Sequence, residues 1–127
     1  MAIKYKVIER GEPGVAGGGT KKFYASANVT GEKSLTGLTR DIEKMSTVSG
    51  ADIRAVLYAL VDTMTGSLAD GQIVRLGELG SLRVSISSEG KEKEKEVTPA
   101  TIKQARVVFT PGKAIKNMLE TVTYEKM

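Results

Sequence analysis

The spacing of apolar and polar residues in the first part of the chain predicts a pair of strands. Ile3, Tyr5 and Val7 alternate with lysines, the period of a half-buried strand. A second short strand is predicted over Lys22–Ala27. Residues 11–20 between them contain five glycines, so they predict a turn or mobile loop. The two strands can therefore pair as a hairpin.

Two helices follow, and the second carries the clearest signals in the sequence. The first is predicted from Ser34 to Met45, where apolar residues fall at helical spacing. The second should begin after Ser49, which forms a capping box with Asp52, and end at Asp70-Gly71. Its apolar stripe consists of Ile53, Val56, Leu57, Leu60, Val61, Met64 and Leu68. The stripe alone indicates only a core or a partner helix.

The second half of the chain predicts three strands and a last helix. Short strands are expected at residues 73–76, 82–86 and 105–109, with a turn at residues 77–80 between the first two. Thr110 and Pro111 suit the N-cap and first position of a helix. The element order is then strand, strand, helix, helix, three strands, helix, which is an α+β chain.

A run of alternating charge, Lys91 to Glu96, lies between the last two strands. In a strand, this period would place the three lysines on one face and the three glutamates on the other. A simpler interpretation is a solubilising tip that resists aggregation.

Composition excludes several kinds of chemistry. The 127 residues predict one domain, and they include neither cysteine nor histidine. Disulfides, thiolate metal sites and the commonest general base are therefore absent. The glycine-rich loop also fails the P-loop pattern, since Thr20 and not lysine follows Gly19. We expect no enzyme activity, no metal, no cofactor and no small-molecule substrate.

Positive charge is in excess in residues 1–30 and again in residues 71–127, by +3 in each, whereas residues 31–70 carry −2. The net charge is +4, and no acidic residue occurs between Val97 and Leu119. The basic residues of that stretch are Lys103, Arg106, Lys113 and Lys116. Such a stripe suits a polyanion, although it can also be a solvated face that keeps the protein soluble. The chain begins with alternating apolar and basic residues and has no run of membrane-span length, so we expect a cytoplasmic protein without a membrane partner.

Two segments resemble the HU/IHF family of histone-like bacterial DNA-binding proteins. Leu79-Gly80-Ser81-Leu82 is similar to the family's Gly-Phe-Gly-Thr-Phe turn. Residues 109–116, Phe-Thr-Pro-Gly-Lys-Ala-Ile-Lys, are similar to its Phe-x-Pro-Gly-Lys-x-Leu-Lys signature. The resemblance covers about residues 46–122. With the two leading strands, the whole resembles the longer HU-like variant of Bacteroides-type bacteria.

The resemblance implies a fold and a set of functional residues. The expected fold is an intertwined homodimer with a helical base, a three-stranded sheet and a protruding arm at about residues 87–104. Residues 1–30 would form an amino-terminal strand extension, and residues 31–127 the HU-like domain. The implied dimer core comprises Leu57, Leu60, Val61, Met64, Leu79, Leu82 and Phe109. The residues expected to contact double-stranded DNA are Arg83, Lys91, Lys93, Lys95, Lys103, Arg106, Lys113 and Lys116.

The arm differs from that of the family. HU-like arms are arginine-rich and carry a proline that wedges between base pairs, whereas this tip reads Lys-Glu-Lys-Glu-Lys-Glu and Pro99 lies nearer the returning strand. Without a wedge, weak bending is expected. The predicted function is sequence-nonspecific, backbone-dominated DNA binding by a nucleoid-associated homodimer. The alternative is an HU-fold protein-interaction module with little DNA affinity.

Overall fold

A computed structural model describes all residues, 1–127, as two compact units. Unit 1 consists of residues 1–34 and 119–127, and unit 2 of residues 35–118. The strands are β1 (Ile3–Arg10), β2 (Lys22–Ala27), β3 (Val74–Arg75), β4 (Gly80–Ser88), β5 (Ile102–Pro111) and β6 (Tyr124–Lys126). The helices are α1 (Leu35–Met45), α2 (Gly50–Ala69) and α3 (Lys113–Thr121). The predicted α+β order is confirmed, with β6 as an additional strand. None of the three helices has the length and apolar content that a membrane span requires.

Unit 1 is a three-stranded sheet in the order β2-β1-β6. The predicted hairpin of β1 and β2 is confirmed, since Tyr5 pairs with Ala27 and Arg10 with Lys22 in antiparallel register. β6 runs parallel to β1, with Ile3 opposite Tyr124. The end of the chain is thereby joined to its beginning.

Helix α2 begins and ends where the polar signals placed it. The Ser49 side chain accepts a hydrogen bond from the amide of Asp52 at 3.2 Å, so the predicted N-cap of α2 is confirmed. At the other end, Asp70 is the C-cap and Gly71 takes a φ of +82°. α1 and α2 are linked by the Gly50 amide, which donates to the Glu43 carboxylate at 2.5 Å.

The second sheet has the order β3-β4-β5 and is antiparallel throughout. The predicted three-stranded sheet is confirmed. β4 and β5 pair from Gly80 opposite Pro111 to Ser88 opposite Ile102, with a register shift at Ser87 and Ser88 that leaves Lys103 without a partner. This irregularity lies where the strands leave the sheet for residues 89–101.

Two local predictions were wrong. Residues 94–96 form a 3₁₀ turn, so lysines and glutamates are not sorted onto two faces of a strand. Lysine and glutamate have low strand propensity, and no strand pairs with residues 91–96. Thr110 and Pro111 also do not cap α3, because they still pair with β4 and the helix begins at Lys113.

The turn between β3 and β4 holds the start of α3 in place. Its carbonyl oxygens accept hydrogen bonds from two amides of the β5–α3 connection: Gly112 donates to Leu79 at 2.9 Å, and Ala114 to Glu78 at 3.3 Å. Gly80 makes this approach possible, since its φ is +142° and a Cβ there would meet the Thr110 carbonyl and lie 2.8 Å from the Phe109 ring.

We predict that Gly80→Ala destabilises the protein by about 2 to 5 kcal/mol. The backbone conformation costs about 1 to 2 kcal/mol and overpacking about 1 to 3 kcal/mol more. Gly71→Ala is the matched control, because its φ is also positive but nothing lies within 4 Å of the added methyl group. It should lose only about 1 to 2 kcal/mol. Urea unfolding measures both, and equal losses would contradict the packing argument.

A single chain buries few apolar side chains. Among hydrophobic residues only Ile53 is buried, at 6% exposure. Many large apolar residues of α2 and of the second sheet are exposed instead, including Val61 at 58% and Phe109 at 45%. Burial of such residues is the main stabilising contribution in folding, so these surfaces lack most of the stabilisation they can provide.

Candidate nucleic-acid interface

The second sheet of unit 2 has one apolar and one polar face. Residues opposite each other in adjacent strands project to the same side. Leu82, which lies between Val74 and Phe109, therefore belongs to a face completed by Val84, Ile86, Ala105 and Val107. The other face consists of Arg75, Ser81, Arg83, Ser85, Ser87, Gln104, Arg106, Val108 and Thr110. It carries three arginines, several hydroxyl groups and no acidic residue.

The three arginines form a row across the strands. Arg75 lies opposite Ser81, two residues before Arg83 in β4. Arg106 lies opposite Ser85, two residues after Arg83. Arg83 is thus the diagonal neighbour of both other arginines, at a distance of about 7 to 8 Å between Cα atoms. We call Arg75, Arg83 and Arg106 the arginine row.

The arginine row is exposed and has no internal counterion. All three residues are solvent-exposed, and none takes part in an ion pair. Like charges at this spacing repel one another, so their electrostatic interaction does not favour folding. Guanidinium groups present rigid N–H donors that match phosphate oxygens. The face is therefore suited to a polyanion.

A cleft of about 320 Å³ continues this face towards α3. Arg75 and Lys116 supply positive charge, and Ser81 and Thr110 supply hydroxyl groups. Gly112 and Pro111 form part of the wall. Because the β3–β4 turn fixes the start of α3, Lys116 is positioned beside a residue of β3 that is 41 positions away in sequence. The cleft has the size and donors for a phosphate group.

The structure brings some of the predicted DNA-binding residues together. Arg83 and Arg106 lie on the polar face, and Lys116 lines the adjoining cleft. Lys113 is the first residue of α3, and Lys103 lies at the register shift of β5. Lys91, Lys93 and Lys95 lie outside the sheet, in residues 89–101, where Lys91 pairs with Glu89 at 3.6 Å.

Arg75 was missed by the sequence analysis. It interrupts the apolar segment of residues 73–76, and only the pairing of β3 with β4 shows that it faces the same side as Arg83. The alternation of Val74, Arg75 and Leu76, which places Arg75 on the opposite face from its two apolar neighbours, was the sequence feature that could have identified it.

The base of the segment 89–101 is held by hydroxyl and backbone hydrogen bonds. Thr101, one of two buried polar residues, donates its hydroxyl to the Thr98 carbonyl at 2.8 Å. Ser88 donates to the Thr101 carbonyl at 3.3 Å. Between these ends, Val97 is 53% exposed. No group of side chains that could hold a metal ion is found in residues 1–127.

The predicted dimer-core residues are all incompletely buried in one chain. Leu57 and Met64 of α2 and Leu82 of β4 are half-buried. Leu60, Val61, Leu79 and Phe109 are exposed. In each case the surface available for a partner is apolar.

Comparison with known proteins identifies the family of the chain. Residues 1–126 match the profile of the HU-HIG family, described as an HU domain fused to a wHTH, Ig or glycine-rich motif. The chain therefore belongs to the HU-HIG family and carries an HU-like domain. No curated protein matches it.

A solved structure shares the fold. It is a Bacteroides vulgatus protein described provisionally as a bacterial DNA-binding protein. The TM-score is 0.68 at 15% sequence identity, over 99% of this chain and 48% of that one. This chain thus spans about half the length of that protein.

Proposed function

We propose that the protein binds double-stranded DNA through its phosphate backbone, without sequence specificity, as a histone-like homodimer of the Bacteroides-type HU variant. The observation that carries the proposal is the arginine row on an acid-free sheet face. The face offers several cations and no acidic residue, which suits phosphates, and phosphate contacts carry no sequence information. A nucleoid location in the cytoplasm and the absence of catalysis are part of the same proposal.

The total exposed surface of one chain supports the homodimer. One chain exposes 10379 Å². A folded monomer of 13.6 kDa is expected to expose about 6,600 Å². The excess is about 3,800 Å² in one chain. Obligate interfaces bury about 2,000 to 5,000 Å² or more in total, half of it on each partner, so a dimer interface can account for a large part of this excess. The apolar sheet face and the exposed side of α2 are the surfaces that a second copy would cover.

Binding should bend DNA only weakly. The tip residues 91–96 are all charged, so none can insert an apolar wedge into a base step. We predict a smaller bend angle than for HU proteins with a proline at the arm tip. A ring-closure assay on short duplexes measures the bend. A bend equal to theirs would contradict the prediction and point to Val97 or Pro99 as the wedge.

Residues 89–96 favour a second function, the protein-interaction module. They contain four glutamates and three lysines, and Lys91 is already paired with Glu89. A surface with more glutamates than lysines gains little binding energy from contacts with phosphates.

Single alanine substitutions separate the two functions. Each phosphate contact contributes about −0.9 to the slope of log affinity against log salt. Replacing one of the proposed contacts should therefore make the slope shallower by about 1 to 2, since a dimer loses two contacts. The set is Arg83, Lys103, Arg106, Lys113 and Lys116, together with Arg75 of the arginine row. Alanine at Glu92, Glu94 or Glu96 should instead tighten binding modestly.

Fluorescence anisotropy with a random duplex at several salt concentrations measures both sets. Fold stability should hardly change, because exposed charges contribute little to it. If the basic-set variants bind as wild type does, the partner-binding function replaces DNA binding.

A further inference from the structure

The sheet of unit 1 also sorts its residues onto two faces. Ile3, Tyr5, Ala25, Ala27 and Tyr124 line an apolar hollow of about 440 Å³ on one side. The strand register places Lys4, Lys6, Ile8, Arg10, Lys22, Tyr24, Ser26 and Glu125 on the other side. We call this second side the basic face of unit 1.

The basic face carries more positive charge than its acidic neighbours neutralise. Lys4 pairs with Glu125 at 2.8 Å, and Lys22 with Glu12 at 3.3 Å. Lys6 and Arg10 have no carboxylate partner. Two positive charges therefore remain on a sheet face that the hairpin register holds in place.

Arg10 is fixed for contact with an anion. Its guanidinium lies 5.0 Å from the ring centroid of Tyr24, the residue paired with Ile8. A stacked guanidinium loses less conformational freedom when it binds, and its N–H groups at the edge stay available. Lys6 lies four residues away on the same strand face, at a distance of about 13 Å.

We propose that the basic face of unit 1 is a second contact surface for the phosphate backbone of duplex DNA. The inference rests on the proposed function, because both surfaces would take the same class of ligand. Duplex DNA is favoured over an acidic protein, since its closely spaced charges can satisfy separated cations without any shape match. No comparable excess of charge lies on the apolar side of the sheet.

The test compares two double variants of the full chain that lose the same charge. Lys6→Gln/Arg10→Gln removes the unpaired cations of the basic face. Lys21→Gln/Lys126→Gln is the control, since Lys21 precedes β2 and Lys126 lies opposite Tyr5 on the other side of the sheet. In the first variant, the salt slope of duplex binding should become shallower by about 2 for each subunit that contacts DNA. In the control, the slope should change by less than about 1.

A conservative variant excludes a purely structural effect. Arg10→Lys keeps the positive charge but not the planar stack on Tyr24, so it should keep the wild-type salt slope. If the hairpin instead depends on the stack, both Arg10→Lys and Lys6→Gln/Arg10→Gln would lose binding. Equal slopes for the two double variants would overturn the inference while leaving the proposed function intact. Wild type without salt-dependent DNA binding would overturn both. Loss of retention on immobilised polyglutamate with an unchanged DNA slope would assign the face to an acidic protein.

Discussion

Val61→Asp should leave the protein unfolded or grossly destabilised at ordinary concentrations. Val61 is 58% exposed in one chain, so a charge at this position of α2 would meet water if the chain stayed alone. In the proposed dimer it would be buried against the partner without a counterion, at a cost of about 3 to 5 kcal/mol in each subunit. The total cost for the two subunits is a large fraction of a typical free energy of unfolding, which is about 5 to 15 kcal/mol.

Sedimentation velocity and circular dichroism measure this effect. Val29→Asp is the control, because Val29 is 83% exposed and lies in the connection between β2 and α1. It should sediment and melt like wild type. The melting temperature of wild type should also rise with protein concentration, as it does when folding and association are coupled. A well-folded 13.6 kDa wild-type species would contradict the homodimer.

Replacing the whole arginine row by alanine should nearly abolish DNA binding at moderate salt. Three contacts in each of two subunits amount to six phosphates, which correspond to a change of about 5 in the salt slope. Wild-type affinity should fall about a thousand-fold between 50 and 200 mM salt, while the affinity of the triple variant should change far less. Surface charge removal leaves the fold intact.

The matched control removes the same charge from the helices of unit 2. Arg40, Lys44 and Arg54 lie on α1 and α2, outside the sheet face. Their triple alanine variant should keep most of the wild-type slope. If both triple variants lose affinity equally, only net charge matters and the arginine row has no special role.

Local signals predicted most of the fold. Ser49, Asp52 and Gly71 defined the ends of α2 because caps satisfy backbone groups within a few residues. The strand β6 gave no such signal. Its three residues pair with a strand about 120 positions away, and short segments acquire structure only from such a partner. Pro111 led to a wrong helix start, because a Thr-Pro pair can precede a helix or end a strand. Only the pairing of β5 with β4 distinguishes the two.

The candidate site was only partly predictable. Arg106 was predicted because it is a basic residue in a stretch without acidic residues. Arg83 was predicted from the resemblance to the HU/IHF family. Their arrangement in a row depends on the strand register, which a one-residue slip would change completely. Arg75 became visible only when β3 was paired with β4.

The most direct measurement of the central claim is the salt dependence of wild-type binding to two duplexes of equal length, one rich in A·T pairs and one rich in G·C pairs. Backbone contacts predict steep, nearly parallel lines of log affinity against log salt, with a slope of about −5 or steeper from the arginine row alone. Affinities for the two duplexes should differ by less than about ten-fold, because no base edges are read. A flat line, or tight binding to one sequence only, would contradict backbone-dominated DNA binding.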